Sequence, residues 1–252
     1  MALINLKFLS EVLGRNVDIN VVVPQRSTNG EIGIANASGS EKYKTLLLLH
    51  GLSDDNSIWL RRSSIERYAT EHGIAVVMPS GDRGFYTDMK HGDKYFTFIG
   101  EEVLKIAREF LPLSDKREDT FVAGNSMGGY GAFKIALKHP DKYCAAIGLS
   151  SVADINKFMD TYTPELKSNI FGDKIPQEED LFYLLKNIKN SPIKPKLYSC
   201  IGKGDFMYSE NVELSRELKN CGCEYAYYET EGVHDWDFWD SEIRKALNWL
   251  VK

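Results

Sequence analysis

In the stretch TFVAGNSMGGYGAFKIAL, residues 120–137, a serine lies between glycines, and Gly124, Asn125, Ser126, Met127 and Gly128 spell GxSxG. Short glycine and serine turns are common in ordinary loops, so the motif alone is weak. Here an apolar run, DTFVAGNS, leads into it and a helix-like run, MGGYGAFKIALKHP, leaves it. That is the setting in which a strained strand-to-helix turn exposes a serine hydroxyl at a sheet edge. A serine hydroxyl is scarcely ionised near neutrality, so a nucleophilic Ser126 needs a base within hydrogen-bond reach. The base in turn needs an acid to fix its tautomer and stabilise its cation. The order expected with this type of turn is Ser, then Asp or Glu, then His.

Two histidines follow Ser126. His139, in LKHPDKY, ends the helix behind the turn just before Pro140, which directs it away and marks it as structural or exposed. His234, in EGVHDWDFWD, falls between the last strand-like run and the final helix, where a loop can carry its imidazole over Ser126. It is the expected base. Asp235 and Asp237 stand next to it, yet a side chain adjacent in sequence seldom aims at the histidine's own ring. The acid is expected from the preceding loop, CIGKGDFMYSEN, where Asp205 follows an apolar strand through two glycines. Alternatives are Asp173 or Asp180, or a helix-capping role for Asp205, although Ser209 and Glu210 already suit the helix start. One oxyanion donor is expected from the Met127 amide and the other from the Leu52 amide, in LLLLHGLSDDNSIW, where the strand ends at His50 and Gly51. His50 itself reads as a buried, hydrogen-bonded support.

Strand-like runs occur at NLKFLS, DINVVVP, KTLLLLHG, IAVVMPS, DTFVAGNS, YCAAIGLS, KLYSCIG and EYAYYET. From the third onward they alternate with helix-like runs, SSIERYATEHG, FIGEEVLKIAREFLP, MGGYGAFKIALKHP, YSENVELSRELKNCG and SEIRKALNWLVK. The pattern predicts a mostly parallel sheet of about eight strands with helices on both faces, the first two strands forming an antiparallel edge. Between residues 152 and 195 lie about forty residues without a clear strand, read as a cap-like insertion with some helix over the sheet's carboxyl edge. The aromatic stretch SGDRGFYTDMKHGDKYFTF is a second irregular loop suited to binding, and RSTNGEIGIANASGSEK reads as a polar hairpin or surface loop. No repeat or linker divides the chain, so 1–252 is read as a single domain.

The 252 residues are 43% hydrophobic, enough for a substantial core. A net charge of -5 comes from 31 basic and 36 acidic residues mixed along the chain, which disfavours a nucleic-acid partner. The start, MALINLKFLSEVLGRNV, lacks the order of a secretory signal, and no run reaches the ~20 apolar residues of a membrane span. The expected location is the cytoplasm, with no membrane partner. Cys144 and Cys200 lie in apolar runs and read as free core thiols. The pair Cys221 and Cys223 lacks companion ligands at zinc spacing, so no metal is expected.

Together, LLLLHGLSDD, FYTDM, GNSMGGYGAFKIALKHPDKY, GKGDFMY and VHDWDFWD resemble the esterase D family of α/β-hydrolases, most closely its bacterial tributyrin-esterase branch. The resemblance runs from the early strands to the last helix. It implies the α/β-hydrolase fold, a homo-oligomer, and a cofactor-free carboxylesterase acting on short acyl esters, including feruloyl or acetyl sugar esters as substrate classes. It also implies Ser126 as nucleophile, Asp205 as acid, His234 as base, and Leu52 and Met127 as the oxyanion hole. S-formylglutathione hydrolases and acyltransferases share the scaffold. Asn125 stands where the formylglutathione branch tends to carry histidine, which tilts the reading away from that branch. A non-catalytic binding module would have no need to keep all these groups together. Of the aromatic residues Trp59, Phe85, Tyr86, Trp236 and Trp239, Tyr86 and Trp236 are expected to line a substrate pocket.

Overall fold

The computed structural model describes residues 1–25 and 41–251, so nearly all of the expected polar hairpin or loop at 26–42 lies outside the described residues. The strands are β1 (Ala2–Ser10), β2 (Arg15–Val23), β3 (Lys44–Leu49), β4 (Ile74–Met78), β5 (Thr120–Asn125), β6 (Ala145–Leu149), β7 (Lys196–Gly202) and β8 (Tyr225–Thr230). They form one sheet in the order β1-β2-β4-β3-β5-β6-β7-β8. β2 pairs antiparallel with both β1 and β4, and every later pairing is parallel. All residues of β4, β5 and β6 are buried, which is why they read as continuous apolar runs. Along β3 the side chains alternate: Leu46 and Leu48 join one core, Leu47 and Leu49 the other.

The helices are α1 (Ile58–Arg62), α2 (Ile65–His72), α3 (Tyr95–Thr97), α4 (Val103–Phe110), α5 (Met127–Lys138), α6 (Ile155–Tyr162), α7 (Pro164–Phe171), α8 (Leu181–Ile188), α9 (Tyr208–Asn220) and α10 (Trp236–Leu250). Residues of α1, α2 and α10 pack on one face of the sheet, and those of α4 to α9 on the other. The run FIGEEVLKIAREFLP is not one regular helix, because a π turn at Phe98–Glu102 joins α3 to α4. That turn delivers the buried Glu102 carboxylate to the β1–β2 connection, where it accepts from the Ser10 hydroxyl and the Glu11 amide. The final helix begins at Trp236, more than a turn before SEIRKALNWLVK. Asp235 caps it, accepting from the Phe238 amide at 3.0 Å.

The strandless interval carries α6, α7 and α8, and two backbone bonds tie α7 to the aromatic irregular loop after β4: Lys90 N–H to Ile170 O at 2.8 Å and His91 N–H to Asn169 O at 2.9 Å. Among the described residues no helix is long and apolar enough to cross a membrane. No group of three or more metal-ligating side chains gathers there. Cys200 and Cys221 are buried and free, whereas Cys144 is only half-buried, with its thiol donating to Glu118 O.

Candidate active site

The sheet register brings the site together. Leu49 pairs with Gly124, Asn125 with Leu149 and Leu149 with Cys200, so the chain leaves β3, β5, β6 and β7 at neighbouring points on the carboxyl edge. Ser126 sits on the turn out of β5 with φ 54° and ψ -118°, in the left-handed half of the map that a residue with a Cβ avoids. Such a backbone costs of order 1–3 kcal/mol and persists only where its surroundings over-determine it. The determinants are visible: Ser126 N–H donates to Leu149 O at 2.9 Å, and Ser126 O accepts from Tyr130 and Val152, each at 3.2 Å. The flanking glycines follow from close approach. A Cβ on Gly124 would lie 2.4 Å from the Gly128 carbonyl, and one on Gly128 would lie 2.5 Å from Leu49 O.

His234 reaches this turn from the β8–α10 connection. Its Nε2 lies 3.0 Å from Ser126 Oγ and its Nδ1 2.8 Å from Asp205 Oδ2. Because the carboxylate can only accept, Nδ1 carries the proton and Nε2 is free to accept from the serine hydroxyl. The Asp205 side chain is wholly buried, and its second oxygen accepts from the Met207 amide at 2.9 Å, so one carboxylate both builds its turn and orients the imidazole. The other candidate acids are engaged elsewhere. Asp180 caps α8, Asp235 caps α10, Asp237 lies in the first turn of α10, and Asp173 is exposed. Ser209 and Glu210 lie within α9, which opens without a side-chain cap. His139 ends α5, stacked on Phe96 and 3.3 Å from Glu101, and burial pushes its pKa down.

Met127 opens α5, so its amide has no partner within the helix, and neither it nor the Leu52 amide donates to a backbone acceptor in another element or loop among the described residues. Gly51 packs against Ser126: a Cβ there would meet Asn125 Nδ2 at 3.2 Å and Ser126 Cβ at 3.7 Å. His50 is buried beneath this turn. Its Nδ1–H donates to Gly51 O at 2.7 Å and its Nε2 accepts from the Gly81 amide at 2.9 Å. Those bonds fix the neutral form, in keeping with a pKa lowered by burial. A Cβ on Gly51 would also meet Asp54 Oδ2 at 3.3 Å, and the pKa of Asp54 is raised to about 6 by burial and then by the neighbouring Asp55 charge.

Tyr86 does not line an open pocket. It is fully buried and donates its hydroxyl to His50 O at 2.8 Å, which makes it a strut beneath the turn that follows β3. Trp236 is half-buried and stands one ring away from the imidazole, edge-on to Trp59 and Trp239. The rings that touch His234 are Trp239 and Phe206, each with its centroid 4.8 Å away. Phe206 is 52% exposed and meets the 47% exposed Tyr162 edge-on at 5.2 Å. Neither was singled out by sequence. Phe206 could have been noted as the neighbour of Asp205 in GDFMY, whereas Tyr162 carried no signal inside the strandless interval.

The arrangement can pull a proton from a serine hydroxyl while two backbone amides receive negative charge on a carbonyl oxygen. The Esterase family model matches residues 10–250 of the chain. An acetyl esterase of Caldicellulosiruptor saccharolyticus is 34% identical over 265 residues, covering 100% of this chain and 99% of that protein. Among solved structures, fluorophosphonate-binding serine hydrolase F of Staphylococcus aureus, substrate bound, superposes with a TM-score of 0.89 at 36% identity, over 100% of this chain and 98% of that one. The S-formylglutathione hydrolase of the same organism gives 0.86 at 36%, over 100% and 99%. With the model spanning nearly the whole chain and these relatives covering all of it, the chain belongs to the Esterase family, as an esterase D-like carboxylic ester hydrolase of the α/β-hydrolase fold.

Proposed function

We propose that this chain hydrolyses short-chain acyl esters through an acyl-enzyme, with Ser126 as nucleophile, His234 as general base and acid, and Asp205 as its orienting acid. The observation that carries the reading is the continuous relay of 3.0 Å from Ser126 Oγ to His234 Nε2 and 2.8 Å from Nδ1 to Asp205. Ser126 Oγ attacks the ester carbonyl carbon as His234 takes its proton, and the Leu52 and Met127 amides hold the oxyanion. The C–O bond to the alcohol then breaks, and His234 returns the proton to the departing oxygen. Water, activated by the same imidazole, releases the acid and restores Ser126. No cofactor enters these steps.

The preference for short acyl groups, as in a tributyrin esterase, is supported by the resemblance and by the acetyl esterase relative. A p-nitrophenyl ester series of rising chain length, set beside methyl ferulate and an acetylated sugar, tests it; a steep fall beyond butyrate is expected. Ser126→Ala should lower turnover on the order of 10⁶-fold with the fold retained by circular dichroism. Retention of full activity would sink the assignment. A second reading, S-formylglutathione hydrolysis, is favoured by the 36% identical hydrolase of that name despite Asn125, and turnover of that thioester tests it directly. Acyl transfer would use the same residues and appears as a new ester when an alcohol is added. The homo-oligomer implied by the resemblance is tested by light scattering.

A further inference from the structure

We propose that Phe206 and Tyr162 form the subsite for the alcohol half of the ester, and that this alcohol carries a ring with an apolar face. The inference rests on the reading of His234 as the acid that protonates the leaving oxygen. That role requires the alcohol oxygen to come within about 3 Å of Nε2 in the acylation step, so the alcohol's carbons lie beside whatever flanks the imidazole on its open side. Two rings flank it. Trp239 is 6% exposed and belongs to the core, whereas Phe206 is 52% exposed. Tyr162 continues the same surface outward and is itself backed by the buried Phe158, its centroid 5.1 Å away.

Large exposed aromatic side chains packed edge to edge are unusual on a surface with no partner, and here they run directly from the reacting centre. Tyr162 is backed by Phe158, which in turn packs on Phe85 at 5.7 Å, so the outer ring of the pair is anchored to the core. Beside the rings lies a small cleft lined by Asp154, Lys157 and Glu210 as well as Phe158 and Tyr162, with Lys157 paired to Glu210. An exposed apolar ring face next to charged hydrogen-bonding groups suits a ring bearing hydroxyls, such as a sugar. An aryl alcohol shares only the apolar face.

The test varies the alcohol while the acyl group stays acetyl: methyl acetate, benzyl acetate and an acetylated methyl glycoside. All pass through the same acetyl-enzyme, so kcat/KM reports the step in which the alcohol leaves. Phe206→Ala and Tyr162→Ala should each reduce the ratio of ring-ester to methyl-ester kcat/KM by roughly 3- to 10-fold, the worth of one aromatic contact. Taking the ratio cancels the intrinsic reactivity of each ester and any general damage to the imidazole. The larger loss in the glycoside arm identifies a sugar, and in the benzyl arm an aryl alcohol. An unchanged ratio in both variants overturns the subsite, as does a change confined to the p-nitrophenyl acyl-length series. Fluorophosphonate labelling of Ser126 in the wild-type protein checks the underlying reading separately, so a failed subsite and a failed nucleophile give different results.

Discussion

At the scale of single residues, the proposed nucleophile, Ser126, is held in a conformation its own side chain opposes. The φ of 54° at Ser126 would be relaxed for glycine, which has no Cβ to clash. Ser126→Ala keeps the strain and Ser126→Gly releases it, so both should be inactive while the glycine variant is the more stable. The gain should be about 1 kcal/mol, because the 1–3 kcal/mol of backbone strain is partly offset by glycine's greater freedom in the unfolded chain. Urea unfolding of the two variants measures it; equal midpoints would show that no strain is stored there. The glycines of GxSxG were legible because close packing dictates their type. Tyr86 was misread because an aromatic residue in a loop has the same signature whether its hydroxyl meets solvent or, as here, the His50 carbonyl. Sequence separates Asp205 from Asp235 only by the argument about adjacent side chains, and in the structure it is Asp205 whose Oδ2 meets the His234 ring, while Asp235 Oδ1 caps α10.

At the scale of elements, α5 is fastened to both irregular segments by one buried side chain. Lys134 Nζ donates to Phe85 O at 3.1 Å, Thr87 Oγ1 at 2.7 Å and Glu179 Oε2 at 2.6 Å, and Lys138 takes the other Glu179 oxygen at 3.0 Å. Burial pushes the Lys134 pKa down to about 8, which still leaves it charged at neutral pH beside Glu179. Burial alone would raise the Glu179 pKa, but the Lys134 and Lys138 charges outweigh it and hold the carboxyl below its ordinary value. A lowered carboxyl pKa contributes stability that is present above the unfolded value and lost as pH falls through the folded one. Glu179→Gln should therefore cost about 3 kcal/mol at pH 7, since it leaves Lys134 buried without its counter-charge. The double variant Lys134→Met with Glu179→Leu should recover most of that loss and, unlike the wild type, lose little further stability from this site on acidification. Chemical unfolding at pH 7 and at pH 4 distinguishes them; a double variant as unstable as the single one would mean that shape rather than charge holds these segments. None of this clamp was legible. Its partners are separated by a strandless interval, and no local pattern says that a lysine inside MGGYGAFKIAL will turn inward.

At the scale of the whole molecule, the sheet was legible because strands buried on both faces must be apolar throughout, and the alternation with helices leaves a parallel arrangement as the only compact solution. What the pattern could not give was how the interval between β6 and β7 lies against the mouth of the site, because its helices are held by contacts distant in sequence. Charge is a molecular property of the same kind. The chain carries -5, and Asp54 and Asp55 are among its acidic groups, placed beside the Gly51 turn. An anionic ester approaches against this field, and the opposition fades once added salt shortens the screening length to about 10 Å at 0.1 M. For two acetate esters of similar size, one neutral and one with a carboxylate in its alcohol half, only the anionic one should respond to salt. Its kcat/KM should rise roughly twofold between low and 0.2 M ionic strength. The comparison also bears on the second reading, since a glutathione thioester is itself an anion near neutrality. A decline with salt would instead mean that local cations outweigh the net charge and draw anions in, even though Lys157 and Arg83 are paired with Glu210 and Glu165.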